Sequence, residues 1–322
     1  MVLTNGIAAM NEVPKKVTVT EVGTRDGFQA EAQFIPTETK IRLINELIAA
    51  GVPRLEFSSF VSPRAIPQLA DVVQVLEGVK RESGSTLAAL VPNERGAARA
   101  AAAGVDEMVT FVSASESHNL KNVNRTIGES LKGFDEVARI ASIDGVPVHG
   151  AIATAFGCPF EGDVPVTSLE RIARHYRDLG FVGISLGDTT GMATPLLVQR
   201  AVRHLRDTLP DLHVTLHFHN TRGVGLANVM AGLNEGIDGY EASFAGIGGC
   251  PFAPGATGNI CTEDLVYLLH EMGIETGIDL ERLCAIARDV ETVVGRTLPG
   301  QVMKAGHRLQ LHALEEVATA EG

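Results

Sequence analysis

Short runs rich in apolar and β-branched residues alternate along the chain with longer stretches of helical spacing. The runs fall at 17–22, 54–58, 86–90, 107–112, 146–153, 182–186, 214–218 and 240–244. Eight strand candidates, each followed by a helix-like segment, predict an α/β protein of the (β/α)8 barrel type, whose chemistry sits at the C-terminal ends of the strands. The helical stretches carry their own punctuation. Thr167-Ser168-Leu169-Glu170 fits a capping box, Leu169, Ile172, Ala173, Tyr176 and Leu179 recur at helical spacing, and Gly180 supplies a stop. Thr194-Pro195 opens the next helix. The alanine-rich stretch 95–104 reads as a small, tightly packed barrel helix ending at Gly104. A doubly wound sheet is the competing architecture. It calls for a glycine-rich phosphate-binding turn after the first strand, and that turn is missing.

The length of 322 residues fits one barrel domain over 1–322, with a core at 17–290 and a helical, polar tail after it. Lys and Arg number 27 against 39 Asp and Glu, a formal charge of −12. That balance disfavours nucleic acid or an anionic membrane as the main partner. An anionic substrate then needs locally placed Arg, Lys or metal. The first residues show no basic stretch followed by an apolar run, and no segment has the length to span a bilayer, so a soluble cytoplasmic protein is expected. Four scattered cysteines are read as reduced thiols.

The unusual polar residues cluster where strands end. His217 and His219, two apart in a strand, point to one side and form half of a divalent-metal site. Asp26, after the first strand, and Asn259, after the eighth, add oxygen ligands, giving a set suited to Mg²⁺ or Mn²⁺. Arg25, Glu56 and Asp188 stand at the ends of the first, second and sixth strands. Cys250, between Gly249 and Pro251, has the context of a reactive thiol on a bendable loop, whereas Cys158 in a similar phrase is read as structural. Cys261 and Cys284 carry no such context, and the remaining eight histidines are expected on helices and surfaces.

The linked motifs resemble the 3-hydroxy-3-methylglutaryl-CoA lyase family of the DRE-TIM metallolyase superfamily. Glu21-Val22-Gly23-Thr24-Arg25-Asp26-Gly27 is similar to the first-strand motif, and Phe60-Val61-Ser62-Pro63 with Pro67-Gln68 to the second loop. Gly248-Gly249-Cys250-Pro251, Gly258-Asn259 and Thr262-Glu263-Asp264 resemble the signature loop. The resemblance implies that Asp26, His217, His219 and Asn259 ligate the metal, that Arg25 stabilises a developing enolate, and that Cys250 closes over the site and takes part in proton transfer. It implies supporting roles for Glu56 and Asp188, with Asp188 close to the metal and the substrate hydroxyl. Gln29 and Arg222 are the expected substrate contacts. The implied reaction cleaves a 3-hydroxy-3-carboxymethylacyl-CoA to acetyl-CoA and a 3-oxo acid, in a homodimer. Asp26, Asp188 and His217 all remain candidates for the base that removes the hydroxyl proton.

Three positions depart from the family pattern. Asn220 stands where a carboxylate is expected beside the metal, Arg222 replaces an aromatic residue, and Ala32 occupies a place that is basic in some members. These changes bear on substrate choice. Two other readings stay open: a Claisen-type synthase or aldolase of the same superfamily, and a metal-binding barrel without catalysis.

Overall fold

Eight parallel strands close on themselves in sequence order, which excludes the doubly wound sheet. The computed structural model describes residues 13–81, 84–249 and 258–311. The strands are β1 (Thr18–Glu21), β2 (Arg54–Ser59), β3 (Thr86–Leu90), β4 (Glu107–Ser113), β5 (Val148–Ala153), β6 (Gly183–Asp188), β7 (Val214–Phe218) and β8 (Gly239–Ala242). Around them lie α1 (Thr37–Ala49), α2 (Val72–Gly78), α3 (Glu94–Ala103), α4 (Glu116–Val123), α5 (Ile127–Asp144), α6 (Val166–Asp178), α7 (Pro195–Thr208), α8 (Gly225–Asn234) and α9 (Thr262–Glu271). α10 (Leu280–Val294) and the short α11 (Val302–Ala305) follow the barrel. None of the described helices is long and apolar enough to cross a membrane.

Local chemistry explains where the observed elements differ from the expected ones. β5 starts at Val148 because Gly145 adopts φ 67°, Val146 N–H closes the end of α5 on Ala141 O, and Pro147 intervenes. β8 ends at Ala242, and Phe244–Gly246 forms a 3₁₀ turn instead of extending it. The capping box expected at Thr167 does not form. α6 begins two residues earlier, at Val166 after Pro165, and Glu170 bonds Arg174 and His204. A capping box does form at Thr126 and Glu129, ahead of α5. The remaining signals hold: Thr194 accepts from Leu197 N at the start of α7, and Gly104 closes α3 in the left-handed region.

Strand alternation sorts the side chains into two populations. Leu87 and Ala89, Met108 and Val112, and Ile184 and Leu186 join the helices in the main apolar core. The opposite faces of β3 to β5 form a small separate cluster of Ala88, Leu90 and Val109, with Phe111 and Ala151 against it. Elsewhere the barrel interior is polar. Arg54 donates to Thr20 Oγ1 (3.1 Å) and bonds Glu107, while Glu56, Ser185, His217 and Glu241 face the cavity above. Barrel interiors are more usually filled with branched aliphatic side chains. Here the packing layer has been given over to charge.

Candidate metal centre and active site

A cavity of about 950 Å³ opens at the carboxyl ends of the strands. Its floor holds Arg25, Asp26, Gln29, Glu56, His217 and His219. β7 presents both imidazoles inward, and their Nε2 atoms lie 3.2 Å apart. A carboxylate oxygen of Asp26 and one nitrogen of each histidine all fall within 4.8 Å of one another. Asn259 arrives from the other side, paired with His219 through an isolated antiparallel bridge. Its Nδ2 donates to Asp26 Oδ2 (2.8 Å) and to Ile247 O (3.0 Å), while its buried Oδ1 has no partner among the described residues.

These groups fit a divalent cation. A carboxylate, two inward imidazoles and a buried amide oxygen with nothing to accept from form an oxygen- and nitrogen-rich donor set. Burial alone would raise the Asp26 pKa, but Arg25, then His217 and His219, and the Asn259 amide hold it down to about 2. Burial and the neighbouring His217 push His219 down to about 4. An anionic carboxylate and a neutral imidazole are the forms that ligate metal.

Arg25 sits in the π-helical turn Gly23–Gly27 that follows β1. Its Nε donates to Glu56 Oε1 (2.5 Å) and its Nη1 to Asp26 Oδ1 (2.6 Å). The guanidinium is therefore held by two carboxylates, one in its own turn and one on β2, with its pKa raised further. Burial and the facing Glu241 pull the Glu56 pKa up, and Arg25 opposes them. Gln29 Nε2 donates to Asp26 Oδ1 (3.1 Å), so this residue steadies the acid as well as lining the cavity. At the rim Arg296 pairs with Glu31 (2.5 Å), and both residues line the cavity.

Two expected contacts lie elsewhere, and a third stands behind the histidines. Asp188 is not among the cavity-lining residues but adjoins His217 and His219; burial lifts its carboxyl to about 7, opposed by the Ala193 and Met192 amides, His217 and the His219 amide. Its Oδ1 accepts from Met192 N (2.6 Å) and Ala193 N (2.8 Å), bracing the loop before α7. Arg222 is exposed and outside the lining. Its Nη1 donates to the carbonyls of Thr190 (3.1 Å) and Gly191 (2.5 Å). Asn220, one residue past His219, likewise turns away from the metal cluster and accepts from Gly225 N (3.0 Å) at the start of α8. Cys250 lies outside the described residues. Two glycines among the described residues, Gly248 and Gly258, are constrained. Gly248 has φ 105°, and a Cβ there would meet Asn259 Nδ2 at 2.6 Å, while a Cβ at Gly258 would meet the carbonyls of Gly246 and Gly248 at 2.4 Å. Both glycines permit a backbone approach that no other residue allows.

Sequence reasoning missed the residues beneath the metal cluster. Glu241 Oε2 accepts from His217 Nδ1 (2.9 Å), so the other nitrogen of that ring faces the cavity with its lone pair. The signal was present: Glu241 pairs in register with His217 across β7 and β8. One histidine expected on a helix or surface, His149, lies within β5; His118 is on α4, but buried, lining the cavity and bonded to Ser113 Oγ (2.7 Å). Cys158 is buried and bonded by Ser115 Oγ (2.9 Å), away from the cavity lining.

Fold and site together define a (β/α)8 barrel with a carboxylate and two-histidine cluster at the strand ends. A family model described as HMGL-like matches residues 16–290. The chain is 44% identical to the hydroxymethylglutaryl-CoA lyase YngG of Bacillus subtilis, over 89% of this chain and 96% of that protein. It is 45% identical to the (R)-citramalyl-CoA lyase of Chloroflexus aurantiacus, over 90% and 95%. Among solved structures it resembles an HMG-CoA lyase from Acinetobacter baumannii in complex with coenzyme A and 3-methylmalate, with a TM-score of 0.89, 44% identity, and coverage of 93% of this chain and 98% of that one. The chain belongs to the HMGL-like family.

Proposed function

We propose that the chain is a divalent-metal-dependent carbon–carbon lyase. Its substrate is 3-hydroxy-3-methylglutaryl-CoA or a close 3-hydroxy-3-carboxymethylacyl-CoA, cleaved to acetyl-CoA and acetoacetate or the matching 3-oxo acid. The observation that carries this reading is the convergence of Asp26, His217, His219 and the unpartnered Asn259 Oδ1 beside a guanidinium fixed by two carboxylates.

Asp26, His217, His219 and Asn259 would hold Mg²⁺ or Mn²⁺. Such an ion, when bound, lowers the pKa of a tertiary hydroxyl and fixes its orientation. Arg25 is the stabiliser of negative charge on the departing thioester enolate, because its geometry is set before the reaction begins. Glu56 positions that guanidinium. Gln29 holds Asp26 and lies within reach of substrate. Cys250 is assigned as the acid that protonates the enolate carbon, on the strength of its glycine-flanked loop. Asp188 braces the loop behind β6 and adjoins His217 and His219, so Asp26, Asp188 and His217 all stay candidates for the base. A cytoplasmic homodimer is the expected form.

A second reading is favoured by the comparable identity to the citramalyl-CoA lyase: the same centre acting on a citramalyl thioester. One experiment separates them. Metal-stripped protein with Mg²⁺ or Mn²⁺ restored is assayed for acetyl-CoA release from 3-hydroxy-3-methylglutaryl-CoA, citramalyl-CoA and longer 3-hydroxy-3-carboxymethylacyl-CoAs. Metal-dependent release that is lost in Cys250→Ala supports the lyase, and the preferred thioester decides between the two substrates. Tight metal binding without release from any thioester would return the site to the synthase or non-catalytic readings.

A further inference from the structure

Beneath His217 a line of buried polar groups runs from β8 through β6 to β5. Glu241 Oε1 is bonded by the Ser185 hydroxyl, and Ser185 Oγ lies 2.9 Å from His149 Nε2. All three residues are almost fully excluded from solvent, with exposures of 5%, 1% and 6%. None of them is a ligand in the proposed reaction. Burying three polar side chains in a barrel interior is costly unless each bond is satisfied, so their arrangement calls for a reason.

The donors and acceptors allow only one direction. A carboxylate accepts and cannot donate, so the single Ser185 proton goes to Glu241 Oε1. Ser185 Oγ can then only accept from His149, which fixes that imidazole as the Nε2–H tautomer. Burial, with Arg54 adding to it, takes the His149 pKa down to about 3, so the ring is neutral and one nitrogen carries the proton. At the other end Glu241 Oε2 accepts the Nδ1 proton of His217. Every bond therefore points toward Glu241, and the Nε2 lone pair of His217 is left facing Asp26 and His219.

The inner end of this line is also sterically defined. His149 pairs in register with Gly183, and a Cβ at Gly183 would meet the His149 ring at 3.2 Å. The imidazole lies against bare backbone, where the absence of a side chain makes room for it. Arg54 Nη1 stands 4.0 Å from Glu241 Oε1, which keeps a counter-charge beside the carboxylate.

We propose that Ser185 and His149 are positioning residues for the metal centre: their one-way hydrogen-bond chain fixes the orientation of Glu241, and through it the tautomer and aim of His217. The inference rests on the metal-binding reading above. It adds that divalent-metal affinity is set in part from two strands that contribute no ligand.

The test measures Mn²⁺ binding to metal-stripped protein by electron paramagnetic resonance, with thermal midpoints recorded alongside. Replacing a ligand's direct partner typically weakens metal binding roughly 10- to 100-fold, so removal of the next group along is expected to cost about 3- to 10-fold. Ser185→Ala and His149→Leu should show that loss. Ser185→Thr and His149→Gln, which keep a hydroxyl and an N–H donor, should restore most of it. Long-range ¹H–¹⁵N spectra of histidine-labelled protein should show His217 protonated at Nδ1 in the parent and a tautomer mixture in Ser185→Ala. Parent-like Mn²⁺ affinity and an unchanged His217 tautomer in Ser185→Ala would overturn the chain, as would a loss that Ser185→Thr does not recover. Should His149→Leu fail to fold, the deletion of one oxygen in Ser185→Ala decides alone. Failure of the unaltered protein to bind Mn²⁺ removes the metal reading itself, and this inference with it; parent binding with indifferent variants removes only the inference.

Discussion

Two sets of buried carboxylates lie on opposite sides of the same barrel wall, and they are managed in opposite ways. Inside, Asp26, Glu56 and Glu241 face Arg25, Arg54 and the histidines of β7. Counter-charge pulls Asp26 and Glu241 well below the usual carboxylate range, so they stay ionised although burial works against it. Behind β1 and β8, the partners of Glu21 and Glu263 among the described residues are neutral donors. Glu21 accepts from Gly23 N (2.7 Å), Phe244 N (3.0 Å) and Thr262 Oγ1 (2.6 Å), and Glu263 accepts from Ala245 N (3.0 Å). Burial lifts Glu21 to about 7 and, helped by Asp264, Glu263 to about 8. Asp26 and Glu241 hold the charge that chemistry needs, while burial and Glu241 raise Glu56 against the pull of Arg25. Glu21 and Glu263 act as hydrogen-bonded pins, tying β1 and α9 to the turn at Phe244–Gly246.

The contrast breaks most severely if the interior cation is removed. Arg25→Gln takes away the guanidinium that the turn after β1 holds at the cavity floor between two carboxylates, and turnover is expected to fall about 10²- to 10³-fold, the usual cost of losing a preorganised electrostatic stabiliser. Steady-state assay on protein shown to be folded checks this; activity within threefold of the parent would remove Arg25 from its assigned role. Glu241→Gln is the milder assault. An amide can still occupy the site but no longer supplies an anion to His217 Nδ1–H, so Mn²⁺ affinity should drop about 10- to 100-fold. Calorimetric titration of the metal-stripped variant reads that change directly, and unchanged affinity would mean that His217 orients itself without its carboxylate.

How legible these two sets were in the sequence follows from how each is built. The eight strands announced themselves through apolar runs, and Asp26, His217, His219 and Asn259 through position at strand ends; the structure brings all four together. Glu241, Ser185 and His149 were passed over because a polar residue inside an apolar run looks like its solvent-facing member. Only closure of the barrel turns that face inward. Arg222 and Asn220 went the other way. Their nearness in sequence to His219 was taken as nearness in space, yet period-two alternation sends Asn220 to the opposite side, and Arg222 folds back on the Thr190 and Gly191 carbonyls. The Thr262-Glu263-Asp264 motif was visible too, but not its work as a set of pins, since Asp264 caps Gln301 N and Val302 N some forty residues away.

The smallest expected effect is on the outer set, and it concerns stability instead of turnover. Glu263 titrates at 4.5 when unfolded and at about 8 when folded, so between those values the native state carries a proton that the unfolded state has lost. Stability contributed by this group is therefore greatest below pH 4.5 and declines as pH climbs toward 8, with a limiting slope of about 1.4 kcal/mol per pH unit for one proton. Glu263→Gln removes the titration while keeping a side-chain oxygen to accept from Ala245 N. Its urea midpoint should gain on the parent across that window and run parallel to it above. The same exchange at the inner set, Glu241→Gln, should show no such gain, because His217 and Arg54 hold the Glu241 carboxyl below the usual range in spite of burial. If the two variants respond alike to pH, the division between paired and unpaired acids fails, and burial alone governs both sides of the wall.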